Sequence, residues 1–410
     1  MMTTIEKWTG MQTRDQGPAF LVGLGHAATH WIIGTFYVLL PFIKEDLGLS
    51  YAETGGLITL FHASSFVANV GSGLAVDVTG RRILLQFLAL IIGGLALAAT
   101  SIYANLFWLY GVIVIVGITN NLWHPAAISY LSNRFPTNRG YALSVHALGA
   151  SFGDAVAPIA AGGLLIWMGW SSVASTHAIP VLAIAAAILI ILGPSEKISN
   201  LKKDNKIDRS DYWAGVLKMV KSKAVLGVAV MAGMRSMTQN GLLVFLPLYL
   251  LNFLHAGPFL LGIGMMVMQV SGLVAAPIAG VFSDRMGRRL IVLLGLGGTT
   301  LVTLSLPLIS DVYVFIAMVG VLGFVLFAVR PVIHSWMMDL TPPKMGGSAT
   351  SLLFGVQAGL SASVPIIGGL IADQWGLPIV FYILAVFGLL ASIMTFFLPD
   401  SASETVNNNE

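Results

Sequence analysis

The chain has no cysteine, which removes disulfide bridges, thiolate metal sites and cysteine nucleophiles together. Charge is scarce as well. Asp, Glu, Lys and Arg make up 10% of the 410 residues, where a soluble domain carries about 25%. No glycine-rich nucleotide loop is present, which argues against ATP hydrolysis as the driving reaction. Residues Met1 to Gly17 lack the basic start, apolar core and small-residue cleavage site of a signal peptide. The first apolar segment is therefore expected to stay in the mature protein. What fills the space is apolar: 56% of residues are hydrophobic and the mean hydropathy is +0.86. This is the composition of an integral membrane protein. The net charge of +3 says little about nucleic acid, because the basic residues follow membrane topology.

A bilayer core needs roughly 20 apolar residues of helix, and twelve stretches qualify. They lie near 19–43, 55–76, 83–103, 106–131, 141–167, 172–192, 224–252, 259–282, 290–309, 312–338, 347–371 and 377–398. The expected organisation is an N-terminal segment 1–18, a six-helix bundle 19–192, a basic linker 193–223, a second bundle 224–398 and a tail 399–410. An internal repeat supports the division. His124-Pro125, Pro136, Gly140, Gly149, Gly153 and Gly162-Gly163 are matched by Arg330-Pro331, Pro342, Gly346, Gly355, Gly359 and Gly368-Gly369. Each pair is offset by 206 residues, close to half the chain. The fold expected is all-α and integral to the membrane, with twelve transmembrane helices in two pseudo-symmetric six-helix bundles.

Basic residues accumulate in cytoplasmic loops. With the N-terminus inside, all but Lys44, Arg235 and Arg330 of the 21 Lys and Arg fall in cytoplasmic segments. Both termini are thus expected in the cytoplasm.

A second repeated element follows the second and eighth segments. The first copy holds Gly73, Asp77, Gly80, Arg81 and Arg82; the second holds Gly280, Asp284, Arg285, Gly287, Arg288 and Arg289, offset by 207. Glycine permits a tight turn, and a carboxylate can cap a helix or pair with Arg. The loop resembles the signature G-x-L-A-D-R-x-G-R-[RK] of the major facilitator superfamily, present in both halves. Val78 stands where the family usually has Arg, so a charge relay at the first loop is expected to be weaker than at the second. Leu122-Trp123-His124-Pro125-Ala126, Gly149-Ala-Ser-Phe152-Gly153 and His26 are similar to the fosmidomycin-resistance-type exporters of that superfamily. The resemblance implies a monomeric secondary transporter of the cytoplasmic (inner) membrane without a cofactor. Its partners would be a small-molecule substrate, protons and the lipid bilayer, with no nucleic acid.

Polar residues inside the apolar segments are paired at i, i+4, one face of a helix each. Segment one has His26 and His30, segment four Asn120 and His124, segment seven Arg235 and Gln239, segment ten Arg330 and His334. The resemblance implies that these four helices line a central cavity. Intramembrane ionisable groups face a cavity or a partner because hydrocarbon cannot solvate them, although any one of them can also be a structural hydrogen-bonding residue. All eight are candidate substrate contacts. Neither arginine has an acid at i±3 or i±4 on its own helix, so each needs a carboxylate from elsewhere, water or a substrate anion. Asp154 is the acidic residue deep within a segment, on one face with His146 and beside the small-residue stripe Gly149, Gly153 and Ala157. It is expected to be protonated part of the time or paired with Arg or His. Asp154, His124 and His146 are the candidates for proton coupling, with a static salt bridge as the alternative.

Trp31, Tyr37, Trp123 and Trp336 are possible aromatic walls or interface anchors. Met231, Met234 and Met237 with Met265, Met266 and Met268 leave a copper-carrying reading open, though Met is also a common apolar filler. No metal site is assigned. His26 and His30 have the spacing of a zinc-protease helix, but Ala27 stands where the general base would be, and no enzyme is expected. The activity expected is proton-coupled export of a small anionic or amphipathic organic compound. Import or exchange of an organic anion and a sensor without transport are the alternatives.

Overall fold

The computed structural model describes residues 6, 11–195, 217, 221–341 and 346–399. Most of the linker, the tail beyond 399 and the Asp77 side chain lie outside the described residues. Helices account for nearly all of the rest. In chain order they are α1 (Thr13–Leu47), α2 (Tyr51–Thr79), α3 (Arg82–Ala99), α4 (Leu106–Arg134), α5 (Arg139–Leu164) and α6 (Trp170–Ala187), the last extended by a π-helical turn over Ile188–Leu192. They continue as α7 (Lys223–Asn252), α8 (Pro258–Met286), α9 (Arg288–Ser305), α10 (Val312–Asp339), α11 (Gly346–Ala362), α12 (Val364–Trp375) and α13 (Leu377–Phe397). The eleventh expected span is therefore broken. Pro365 sits in the first turn of α12, where its missing N–H costs nothing, whereas inside a continuous helix its ring would clash one turn back. Pro125 and Pro331, by contrast, lie within unbroken α4 and α10.

Among the described residues, ten helical runs are long and apolar enough to cross a membrane, counting α11 with α12 as one. The two expected spans outside that set are α2 and α7, at 29 and 30 residues. Length is not what sets them apart. Helix α7 carries Arg235, Ser236, Gln239 and Asn240, which dilute its apolar content, whereas in α2 the side chains of Val70, Leu74 and Asp77 lie outside the described residues.

Two compact units make up the chain. The first comprises Met1–Gly48, Leu60–Lys202 and Pro258–Gly262, and the second Leu49–Thr59, Lys203–Gly257 and Ile263–Glu410. In the first, α1 packs most extensively on α5, and α3 on α4 and α6. In the second, α7 packs on α11 and α13, and α9 on α10 and α13. The repeat in the sequence thus reappears as one packing scheme used twice. It extends to a pair that sequence inspection missed. Asn105 caps α4 by accepting from Trp108 N at 2.9 Å, and Asp311 caps α10 by accepting from Tyr313 N and Val314 N at 2.9 Å each. These two positions are also 206 apart. Each satisfies donors that the first turn leaves unpaired.

The loop motif shows why its offset is 207 while downstream positions keep 206. Gly80 and Gly287 both take left-handed φ, 64° and 93°, a conformation open to glycine at little cost. Helix α9 starts directly after Gly287, whereas Arg81 is interposed before α3. Arg82 is therefore the positional counterpart of Arg288. Its Nε donates to the neutral Ser129 Oγ at 2.6 Å. Arg288 donates instead to Asp339 Oδ2 at 3.0 Å and Ser283 Oγ at 2.8 Å, and also bonds Asp284. Among the described residues, the ion pairs of this motif are those of Arg288 in the second loop; the Asp77 side chain of the first loop lies outside them. The position equivalent to Asp339 in the first half is Asn133, 206 residues earlier.

Candidate functional site

In the first unit, α1 supplies His26 and His30 one turn apart, α4 supplies His124, and α5 supplies His146 and Asp154. Glycine sets the spacing. A Cβ on Gly149 would collide with the Gly23 carbonyl, and one on Gly153 with the Ala27 carbonyl. The small-residue stripe thus brings the backbones of α1 and α5 together, and it carries the polar groups of α5 to those of α1.

The resulting cluster is dense. His30 Nδ1 lies 2.9 Å from Asp154 Oδ1, with side-chain exposures of 23% and 28%, so the deep carboxylate has the histidine partner its burial calls for. His26 is buried. Its Nδ1 lies 2.7 Å from the His146 carbonyl, and its Nε2 lies 3.3 Å from His124 Nε2. His124 Nδ1 is 2.9 Å from the Asn120 carbonyl. The His26 and His146 rings stack with centroids 3.7 Å apart. Trp123 Nε1 donates to His146 Nε2 at 3.3 Å, so that nitrogen acts as an acceptor in the core. Asn120 itself is half-buried beside Thr29 and Thr119.

In the second unit, α7 and α10 bring Arg235, Arg330 and His334 close enough for their charges to interact. Arg235 is 3% exposed. It donates from Nη2 to the Leu326 carbonyl at 3.0 Å, while its Nε has no hydrogen-bond partner. Arg330 is exposed, and Gln239 and His334 are half-buried, with the His334 ring against Phe354. Among the described residues, neither arginine forms an ion pair with a carboxylate. Isolated burial of a guanidinium is costly, so this cationic group is short of a counter-charge.

Three of the four aromatic side chains read as possible walls are packed in the cores. Trp123 and Trp336 are fully buried and Tyr37 nearly so. Trp31 stacks on His177 and donates to its carbonyl at 3.1 Å. Met231 belongs to an apolar cluster with Val225, Val329 and Trp336, which fits its use as filler. Sequence inspection passed over His62 and His177, which stand outside the paired i, i+4 signal. His62 is half-buried with its Nε2 enclosed, and His177 is buried with Nδ1 meeting Thr35 Oγ1 at 2.8 Å.

A multi-pass helical protein of two like units, with ionisable groups gathered on facing helices inside its apolar segments, has the construction of a membrane transporter. The family model described as Major Facilitator Superfamily matches residues 22–362 and 228–410. The chain belongs to that superfamily, a family of transporters rather than enzymes. It is 24% identical over 398 residues to the fosmidomycin resistance protein of Escherichia coli (strain K12), covering 93% of this chain and 92% of that one. It is 23% identical over 325 residues to a multi-drug resistance efflux pump PmrA homologue of Lactococcus lactis subsp. lactis (strain IL1403), covering 76% and 78%. Among solved structures, it is similar to a bacterial homologue of the human lysosomal transporter Spinster. That match has a TM-score of 0.76 at 15% identity, covering 98% and 99% of the two chains. It is similar also to a mutant of the nucleoside transporter NupG, with a TM-score of 0.76 at 12% identity over 92% and 98%. At these identities the structural likeness speaks to the fold.

Proposed function

We propose that this transporter exports a small organic anion in exchange for protons. One observation carries the substrate charge. Arg235 is buried with an unpartnered Nε and a second arginine nearby, and no carboxylate pairs with either among the described residues. A phosphonate or carboxylate supplies the missing charge, and the guanidinium fork accepts two of its oxygens at once. Gln239 and His334, on the same two helices, add neutral hydrogen bonds. Export rather than import is supported by relatives named as a resistance protein and an efflux pump. Asp154, hydrogen-bonded to His30 inside the first unit, is the carboxylate available to carry the proton. The chain works as a monomer in the inner membrane, as the family resemblance implies, with both termini in the cytoplasm, a topology its basic loops support.

Flux driven by a pH gradient in proteoliposomes tests the reading, with phosphonates, carboxylates and lipophilic cations as a panel. The expected result is that anions move outward, that Arg330→Ala abolishes their binding, and that Asp154→Asn removes gradient dependence while binding persists. Movement of lipophilic cations with Arg330→Ala harmless would overturn it. Movement of anions inward would reverse the direction.

A further inference from the structure

The hydrogen bonds of the first unit fix the protonation of two histidines. A carbonyl oxygen only accepts, so His26 Nδ1, 2.7 Å from the His146 carbonyl, carries a hydrogen. The same holds for His124 Nδ1, 2.9 Å from the Asn120 carbonyl. In neutral rings the lone pairs then sit on the two Nε2 atoms, which face each other at 3.3 Å. Two lone pairs at that distance repel unless a positive charge lies between them. His30 is arranged in the same way, with Nδ1 directed to the Asp154 carboxylate and its other nitrogen left for a ligand. One ring nitrogen from each of His26, His30 and His124 lies within 4.8 Å of the others.

We infer that these three histidines form a binding site for a divalent transition-metal ion of the zinc, cobalt and nickel class. The distance between the facing nitrogens fits. Two ligands at about 2.0–2.1 Å from a tetrahedral zinc stand about 3.3–3.4 Å apart, which is the separation of the two Nε2 atoms. The third ring nitrogen, from the half-buried His30, stands within 4.8 Å of the other two. The surroundings are those of a metal site as well. Metal-bound imidazoles donate their second N–H to a carbonyl or carboxylate, which fixes the tautomer and raises ligand basicity. Here two donate to backbone carbonyls and one to Asp154. Three neutral imidazoles without thiolate or direct carboxylate favour a borderline cation over Cu(I), Ca²⁺ or Mg²⁺. They also leave a fourth position for water or another ligand. This goes beyond the anion reading and depends on no residue of the second unit.

Co²⁺ is the probe, because tetrahedral nitrogen coordination gives intense visible d–d bands and octahedral surface binding gives weak ones. The full chain, without a polyhistidine tag, is purified in detergent, stripped with chelator and titrated with Co²⁺, then with Zn²⁺. The expected result is a tetrahedral spectrum that saturates at one ion per chain and is bleached by Zn²⁺. His30→Ala and His124→Gln remove it. Asp154→Asn, a change in a positioning residue, keeps the spectrum while weakening affinity about 10–100-fold. Arg330→Ala leaves Co²⁺ binding unchanged, so failure of the anion reading and failure of this one are distinguishable. Should the histidine variants not fold, the wild-type spectrum and the Asp154→Asn shift decide. Absence of binding at micromolar Co²⁺, an octahedral spectrum, or affinity indifferent to all three substitutions would overturn the assignment.

Discussion

His30 on α1 and Asp154 on α5 are joined Nδ1 to Oδ1 at 2.9 Å, and Gly153, the neighbour of Asp154, holds the two helices close enough for it. A Cβ at Gly153 would meet the Ala27 carbonyl and press on His30 Cβ at 3.0 Å. The obstacle is backbone, which cannot rotate away. Gly153→Ala should therefore force α1 and α5 apart at a cost of about 1–3 kcal/mol, read as a lower Tm in detergent. Gly163→Ala, where nothing lies within 4 Å, is the control and should stay within about 0.5 kcal/mol of the parent. Equal losses at both positions would mean that α5 needs glycine for something other than close approach.

Arg235 separates stability from function. Its guanidinium is buried with one described hydrogen bond and an orphaned Nε, and burying a charge in that way opposes folding. Arg235→Met keeps the apolar stem and removes the charge. Its Tm should equal or exceed that of the parent, while anion flux driven by the pH gradient is lost. A drop in Tm comparable to that of a core truncation, about 2–5 kcal/mol, would mark the arginine as structural.

The two equivalent caps give a quantitative check on the repeat. Asn105 and Asp311 each accept from first-turn N–H groups at 2.9 Å. Replacing either by Ala should cost about 0.5–2 kcal/mol. Hydrogen exchange in the first turn of α4 or α10 should accelerate only in the helix whose cap was removed.

How much of this was legible in the sequence depends on which physics carried each signal. Apolar runs and a 206-residue offset in Gly and Pro exposed the membrane helices and the repeat, because bilayer thickness and backbone geometry constrain residue type directly. The i, i+4 polar pairs located His26, His30, His124, Arg235 and Arg330, since a helix face is a property of one segment. Asp154 was legible as a group that needed a partner. That the partner is His30 was not, because the contact joins positions 124 apart in the chain. The facing Nε2 atoms of His26 and His124 were invisible for the same reason, and so was the metal geometry they form. The break at Ser363 was also missed, as an apolar run with a proline reads the same whether the helix bends or stops.

The described partners of Arg288 and Arg82 make a prediction that depends on salt. Arg288 is 19% exposed and Asp339 47%, so their ion pair is partly screened by water and worth at most about 1 kcal/mol. Arg82, in the corresponding place, bonds Ser129 with the neutral Asn133 beside it, whose Nδ2 also reaches the Ser129 carbonyl at 2.7 Å. Asp339→Asn should lower Tm slightly at low ionic strength and have less effect in high salt, where the Debye length shrinks to about 3 Å at 1 M. Asn133→Asp should do the reverse, placing a carboxylate beside the Arg82–Ser129 pair and raising Tm at low salt alone. If both variants are indifferent to salt, the second loop's network positions the helix ends by hydrogen bonding, and the charge itself contributes nothing measurable.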